Sequence, residues 1–294
     1  MDLMSYVLDA VVFLAIYALL SVSLSLEYGF TGLANFGKVA FFAIGAYVSA
    51  LLVVFYSIPM PLNVLIGAVA SAVAGVVISI PALKLREDYL AIVTISFSEI
   101  LRLYLLNEEA ITGGAFGVRG IPPLFQFGNH GPQYLFLCTI TVCIVLASTL
   151  IIIHKIVLSP FGRILRAIRD CEVAAEALGK SVAAFKSKTM ALGSAIAGLA
   201  GGIYAHYLQY ISPDMFMPML TFNIWIMVML GGRANIFGAV FGAALMVFFE
   251  RSTRLLENFT GLPIEPHNLR MIVIGLLLVM FMIFKPQGAF EEFN

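Results

Sequence analysis

Charged residues make up only 12% of this 294-residue chain, so each one set among apolar neighbours is a candidate for chemistry. Glu99 and Arg102 stand three residues apart, the spacing at which two side chains meet on one helix face. They can neutralise each other as a structural pair or face a polar solute. Glu27, Lys38 and His206 have no partner at helical spacing, and an ionisable group at membrane depth needs a partner or a job. A proton relay would want several carboxylates or histidines stepped along the helices, and no such ladder is visible. Nor is there a convergent set of nucleophile, base and orienting group. Two stretches approach a phosphate-binding loop. Residues 32–39 (GLANFGKV) have the spacing, but Val39 replaces the hydroxyl that holds magnesium; residues 174–181 (AAEALGKS) put alanine where the first glycine belongs. Neither is expected to bind nucleotide. Cys138, Cys143 and Cys171 lack ligand or disulfide spacing, which predicts free thiols and no metal.

The elements that position these residues are apolar helices. Hydrophobic residues form 61% of the chain and mean hydropathy is +0.99, which excludes a soluble core wrapped in a polar surface. A spanning helix takes about 20 apolar residues. Candidates run over 4–26, 36–56, 61–83, 89–107, 133–155, 189–210, 221–230, 237–256 and 269–284, the seventh being short. The fold expected is an all-α polytopic transmembrane bundle of about 8–10 spans, a single domain over 1–294 with a polar loop over 156–188. The first apolar run is longer than a signal-peptide core and reads as a retained span. A formal net charge of zero leaves no global attraction for nucleic acid.

Lys and Arg mark cytoplasmic loops, and seven of them fall between Lys155 and Lys188 while 211–220 has none. Loop 156–188 is therefore expected inside, with Lys84, Arg86 and the tail after Lys285; loop 108–132 and the N-terminus are expected outside. Small residues recur four apart at Gly67, Ser71 and Gly75, at Gly193, Ala197 and Gly201, at Ser194, Gly198 and Gly202, and at Gly238 and Gly242. Such stripes let helices pack closely in lipid. Residues 32–39 are echoed by 232–240 (GRANIFGAV), with Gly32, Asn35 and Gly37 answered by Gly232, Asn235 and Gly238. Paired glycine-interrupted segments in two halves of a transporter often mark broken helices beside a substrate path, although two ordinary helix starts would share the same residues. Loop 112–122 holds four glycines, Gly113 and Gly114 among them, which calls for turns of positive φ. It can line an external mouth or be a plain connector.

Residues 159–181 (SPFGRILRAIRDCEVAAEALGKS) form an extended polar helical pattern. Ser159 followed by Pro160 is a helix start, and Gly179 is a stop. Phe161, Ile164, Leu165 and Ile168 make an apolar stripe beside a basic one of Arg163, Arg166 and Arg169. After Asp170 the chain turns alanine-rich and acidic, with Glu172, Ala175 and Glu176, which predicts a short second helix contacting protein. An amphipathic helix lying on the inner leaflet is the competing expectation.

With those residues in view, the chain resembles the permease subunits of bacterial ABC importers for branched-chain amino acids, and within them the subunit lettered M. The resemblance runs nearly end to end, over 32–52, 85–107, 112–122, 159–181, 204–215, 224–242 and 284–288. It implies that 159–181 is a coupling helix docking in a cleft of an ATPase. Its E-A-A-x-x-x-G pattern is imperfect here, because Val173 separates Glu172 from Ala174 and Glu176 is followed by one alanine only. The implied partners are a second permease chain, two ATP-binding cassette subunits that carry ATP and magnesium, a periplasmic or extracellular solute-binding protein, and membrane lipid. This chain itself is implied to bind no cofactor and to catalyse nothing. The implied mechanism is alternating access in the bacterial inner membrane. A path drawn from the glycine echo would include Gly32, Asn35, Gly37 and Asn235, whose freed amides could meet a zwitterion's carboxylate, with Glu99, Arg102, Gly113 and Gly114 as further candidates. A permease for urea or short amides is a rival within the family. A self-sufficient secondary transporter is a rival from another class.

Overall fold

The computed structural model describes residues 3–82, 87–125, 132–256, 275–276 and 288–290. Its elements are α1 (Leu3–Leu24), α2 (Lys38–Tyr56), α3 (Leu62–Ala82), α4 (Glu87–Asn107), α5 (Glu109–Thr112), α6 (Pro132–Leu158), α7 (Pro160–Asp170), α8 (Glu172–Ala177), α9 (Val182–Leu208), α10 (Pro218–Gly231) and α11 (Ile236–Leu256). A strand pair, β1 (Val118–Arg119) with β2 (Tyr210–Ile211), closes one end of the bundle.

Every expected segment within the described residues is helical; 269–284 lies outside them except for residues 275–276. Among the described residues, six helices are long and apolar enough to cross a membrane: Met4–Gly29, Lys38–Tyr56, Leu62–Pro81, Tyr89–Asn107, Gln133–Leu158 and Pro213–Gly231. At 19 to 26 residues they reach about 28 to 39 Å, the thickness of a bilayer core with its margins. The short segment 221–230 gains its length from a 3-10 turn over Pro213–Phe216 in front of α10. Helices α9 and α11 are also long, 27 and 21 residues, but glycine, alanine and polar residues dilute their hydropathy. Their small residues serve the inside of the bundle.

The centre is the packing of α2, α3 and α9, and the small-residue stripes decide its closeness. A Cβ placed on Gly45 would overlap the backbone of Gly198, and one on Gly198 would overlap Ser71, whose Oγ donates to the Phe41 carbonyl at 2.9 Å. Helix α10 meets α11 in the same way, through Gly231 against the Gly238 carbonyl. Around these contacts Phe41, Phe42, Tyr47 and Phe216 fill the main core. Without a hydrophobic driving force between helices in lipid, such backbone approach and packing replace it. The three cysteines are free thiols.

Candidate functional site

Helix α1 does not stop at Leu24 but widens into a π turn over Ser25–Gly29, after which residues 32–37 carry no helix and α2 starts at Lys38. A π turn costs hydrogen-bond geometry and often marks a functional site. The break folds the chain back so that two charges eleven residues apart meet. Lys38 Nζ lies 2.6 Å from Glu27 Oε1, and both side chains are fully buried. Asn35 holds the pair: its Nδ2 donates to Glu27 Oε2 at 2.9 Å, while its Oδ1 accepts from the Gly37 amide at 2.9 Å. Other amides of the break are taken as well. Leu33 N donates to the Glu27 carbonyl at 2.9 Å, Phe36 N to Thr94 Oγ1 of α4 at 3.0 Å, and Val39 N to Thr221 Oγ1 of α10 at 3.1 Å. A solute carboxylate would have to displace these protein oxygens to reach the same amides. Buried backbone donors must be paired, and here protein oxygens pair them. Gly32 supplies the positive φ of 76° that starts the break.

The echo at 232–240 is a second break of the same construction. Gly232 and Ala234 take positive φ, and Asn235 Oδ1 accepts from the Gly238 amide at 3.0 Å, repeating the cap of Asn35. The two breaks touch. Gly29 sits so close to the Ala234 amide that no Cβ would fit, and the Arg233 guanidinium lies 4.5 Å over the Tyr28 ring. Trp225 of α10 donates to the Asn35 carbonyl at 3.2 Å and stacks on Phe36 with centroids 4.4 Å apart. Residues 289 and 290 return to this place, their amides donating to the Leu230 and Gly231 carbonyls at 2.9 and 3.1 Å.

The polar pattern of 159–181 is a helical hairpin seated on these breaks. Ser159 Oγ accepts from Phe161 N at 3.2 Å, the expected cap, and Cys171 is extended between α7 and α8. Leu165 and Ile168 are fully buried. Leu165 joins Leu26 and Phe30 from the first break and Ala234 and Ile236 from the second in one apolar cluster. The stripe thus faces protein, not the lipid leaflet. The basic residues divide: Arg163 is exposed and Arg166 half-buried, whereas Arg169 turns inward and donates from Nη1 to the Gly29 carbonyl at 2.9 Å and from Nε to Asp170 at 3.1 Å. Glu172 is held by an ion pair with Lys186 of α9, and Ala175 is buried. What α8 leaves outward is Glu176 flanked by Val173 and Leu178, which are 76% and 79% exposed. Gly179 closes the hairpin at φ 75°.

The opposite end holds the other expected residues, which the fold does not bring to the breaks. Arg102 stands two turns further along α4 than Thr94, about 12 Å. It chelates Glu99 at 2.6 Å, as its spacing foretells, and reaches Asp214 at 3.6 Å. Gly113 and Gly114 take positive φ in the loop that carries β1. A cavity of about 420 Å³ opens beside Ser57, Met60, Pro122, Leu124 and His206. His206, which has no partner at helical spacing, is buried, with Nδ1 2.8 Å from the Pro122 carbonyl and Nε2 3.2 Å from Asn63 Oδ1. Sequence reasoning missed a further polar group here: Asp9 of α1 binds Arg251 of α11 at 2.7 Å and accepts from Tyr207 of α9. Only an intramembrane charge search that paired distant helices would have found it.

Long apolar helices, two helix breaks joined inside the bundle and an amphipathic hairpin seated beneath them define a multi-pass helical membrane permease. The chain belongs to the branched-chain amino acid transport system / permease component family, whose match covers residues 6–282. It is 33% identical to the high-affinity branched-chain amino acid transport system permease protein LivM of Salmonella typhimurium, over 93% of this chain and 67% of that protein. It is 32% identical to LivM of Escherichia coli over the same shares. A probable LivM of Methanocaldococcus jannaschii is 27% identical over 99% of this chain and 94% of that one, and that organism's probable LivH is 24% identical over 81% and 76%. No solved structure matches the chain.

Proposed function

We infer that the chain is the M-type permease subunit of an ATP-driven ABC importer and, with a second permease chain, forms the path for branched-chain amino acids across the bacterial inner membrane. Family membership and the LivM relatives support the substrate class, and the likeness to LivH as well as LivM supports a paired permease. The observation that carries the reading is α8: a short helix with Val173, Glu176 and Leu178 outward, mounted on α7 and through it on both helix breaks. Exposed apolar side chains on a polar hairpin suit a protein partner. In this reading two ATP-binding cassette subunits hold ATP and magnesium and grip α8 from the cytoplasm. This chain binds no cofactor and catalyses no reaction. A soluble binding protein delivers solute to the opposite end, where the β1–β2 pair and the cavity beside His206 lie. An aliphatic side chain adds about 0.8 kcal/mol of transfer energy per buried methylene, a gain that urea cannot supply.

The test is purification of the tagged chain from membranes under mild conditions, with mass spectrometry of what accompanies it. A second permease chain and ATPase subunits are expected, the ATPases being lost on Glu176→Lys, with leucine uptake competed by valine and isoleucine but not by urea. A chain recovered alone that carries solute in vesicles without ATP overturns the reading.

A further inference from the structure

We propose that Arg169 is a positioning residue that transmits movement of the hairpin to the two helix breaks, by gripping the Gly29 carbonyl where the π turn of the first span ends. The proposal rests on the function inferred above and names the joint that the function requires.

At Gly29 the three parts meet through polar and backbone contacts. Its carbonyl accepts from Arg169 Nη1 at 2.9 Å, and its Cα faces the Ala234 amide too closely for any side chain. Two residues earlier in the same turn, Glu27 anchors Lys38, the first residue of α2. A shift of α7 along its axis therefore pulls on the end of α1, the start of α2 and the start of α11 together. Asp170, accepting from Nε at 3.1 Å, holds the guanidinium side-on so that Nη1 points to Gly29. The leverage is directional because α7 is bound to the breaks by an apolar face as well. Leu165 packs among Leu26, Phe30 and Ala234, so the hairpin pushes through that face and pulls through the charged hydrogen bond. Carbonyls at a helix end lack intrahelical donors, which leaves Gly29 a ready acceptor. A π turn has a nearby α-helical alternative, so a modest pull can switch it between discrete states.

The experiment uses the whole complex in proteoliposomes and reads uptake, ATP hydrolysis and their ratio. Arg169→Met is expected to assemble and to hydrolyse ATP at its basal rate, while uptake per ATP falls about tenfold or more, the effect of losing the charged hydrogen bond to the Gly29 carbonyl. Arg169→Lys, which keeps a cation able to reach the carbonyl, is expected to recover part of the ratio. The proposal is overturned if Arg169→Met keeps its uptake-to-ATP ratio within about twofold, well short of that loss, or if Arg169→Lys is no better than Arg169→Met. Failure of Arg169→Met to assemble makes the arginine a folding contact and also overturns the proposal, unless Gly29→Ala, which disturbs the joint from the membrane side, assembles and uncouples. If the function itself is wrong, the wild-type chain brings no ATPase to the vesicles, an outcome separate from all of these.

Discussion

Replacing Lys38 with methionine strands the Glu27 carboxylate inside the bundle, and the cost can be worked from its surroundings. Both side chains are fully buried and 2.6 Å apart, and the carboxylate would keep only the Asn35 amide as donor. Breaking a buried pair by removing one partner costs about 3 to 5 kcal/mol, because the remaining charge is uncompensated. Replacing both partners by neutral groups of similar shape is often close to neutral. Glu27→Gln with Lys38→Met is therefore expected to recover at least about 2 kcal/mol relative to Lys38→Met alone, since the glutamine carbonyl still accepts from Asn35. Reversible unfolding of the purified complex in mixed detergent, run as a double-mutant cycle, measures both quantities. A loss under about 1 kcal/mol for Lys38→Met, or single effects that simply add, would refute the assignment of this pair as the pin of the first break.

Val173→Asp and Leu178→Asp place charges on the outward face of α8, and each is expected to reduce ATPase retention on the tagged chain about tenfold, some 1.4 kcal/mol, with the fold unchanged in circular dichroism. Gly198→Val forces side-chain carbons into Ser71 and the Gly67 carbonyl and is expected to destabilise the α3–α9 contact by about 1 to 3 kcal/mol or to prevent assembly, visible as a lower melting temperature in detergent. A Cβ on Gly179 meets nothing within 4 Å. Gly179→Ala should thus cost only its left-handed backbone, about 1 to 2 kcal/mol, seen as faster hydrogen exchange in α8, while Gly179→Asn restores part.

Some of this protein is written in local pattern. Length and hydropathy place the spans, because a bilayer demands about 20 apolar residues per crossing. Ser159 and Pro160 start α7, and Gly179 ends the hairpin, because caps and left-handed residues act within one turn. The small-residue stripes announce close packing, and Glu99 pairs with Arg102, because helical spacing alone brings such groups together. The echo between 32–39 and 232–240 is visible as matching glycines and asparagines. Tertiary structure decided what those local pieces do to one another. Glu27 and Lys38 cannot meet on any helix and pair only because the chain breaks between them; the amides freed there are claimed by Thr94 and Thr221 from other helices. Arg169 looks like a third member of a basic stripe until α7 is set against Gly29. His206 and Asp9 find their partners on distant segments. The physical reason is the same in each case: local spacing fixes which face a residue occupies, but the crossing of helices far apart in sequence determines what that face meets.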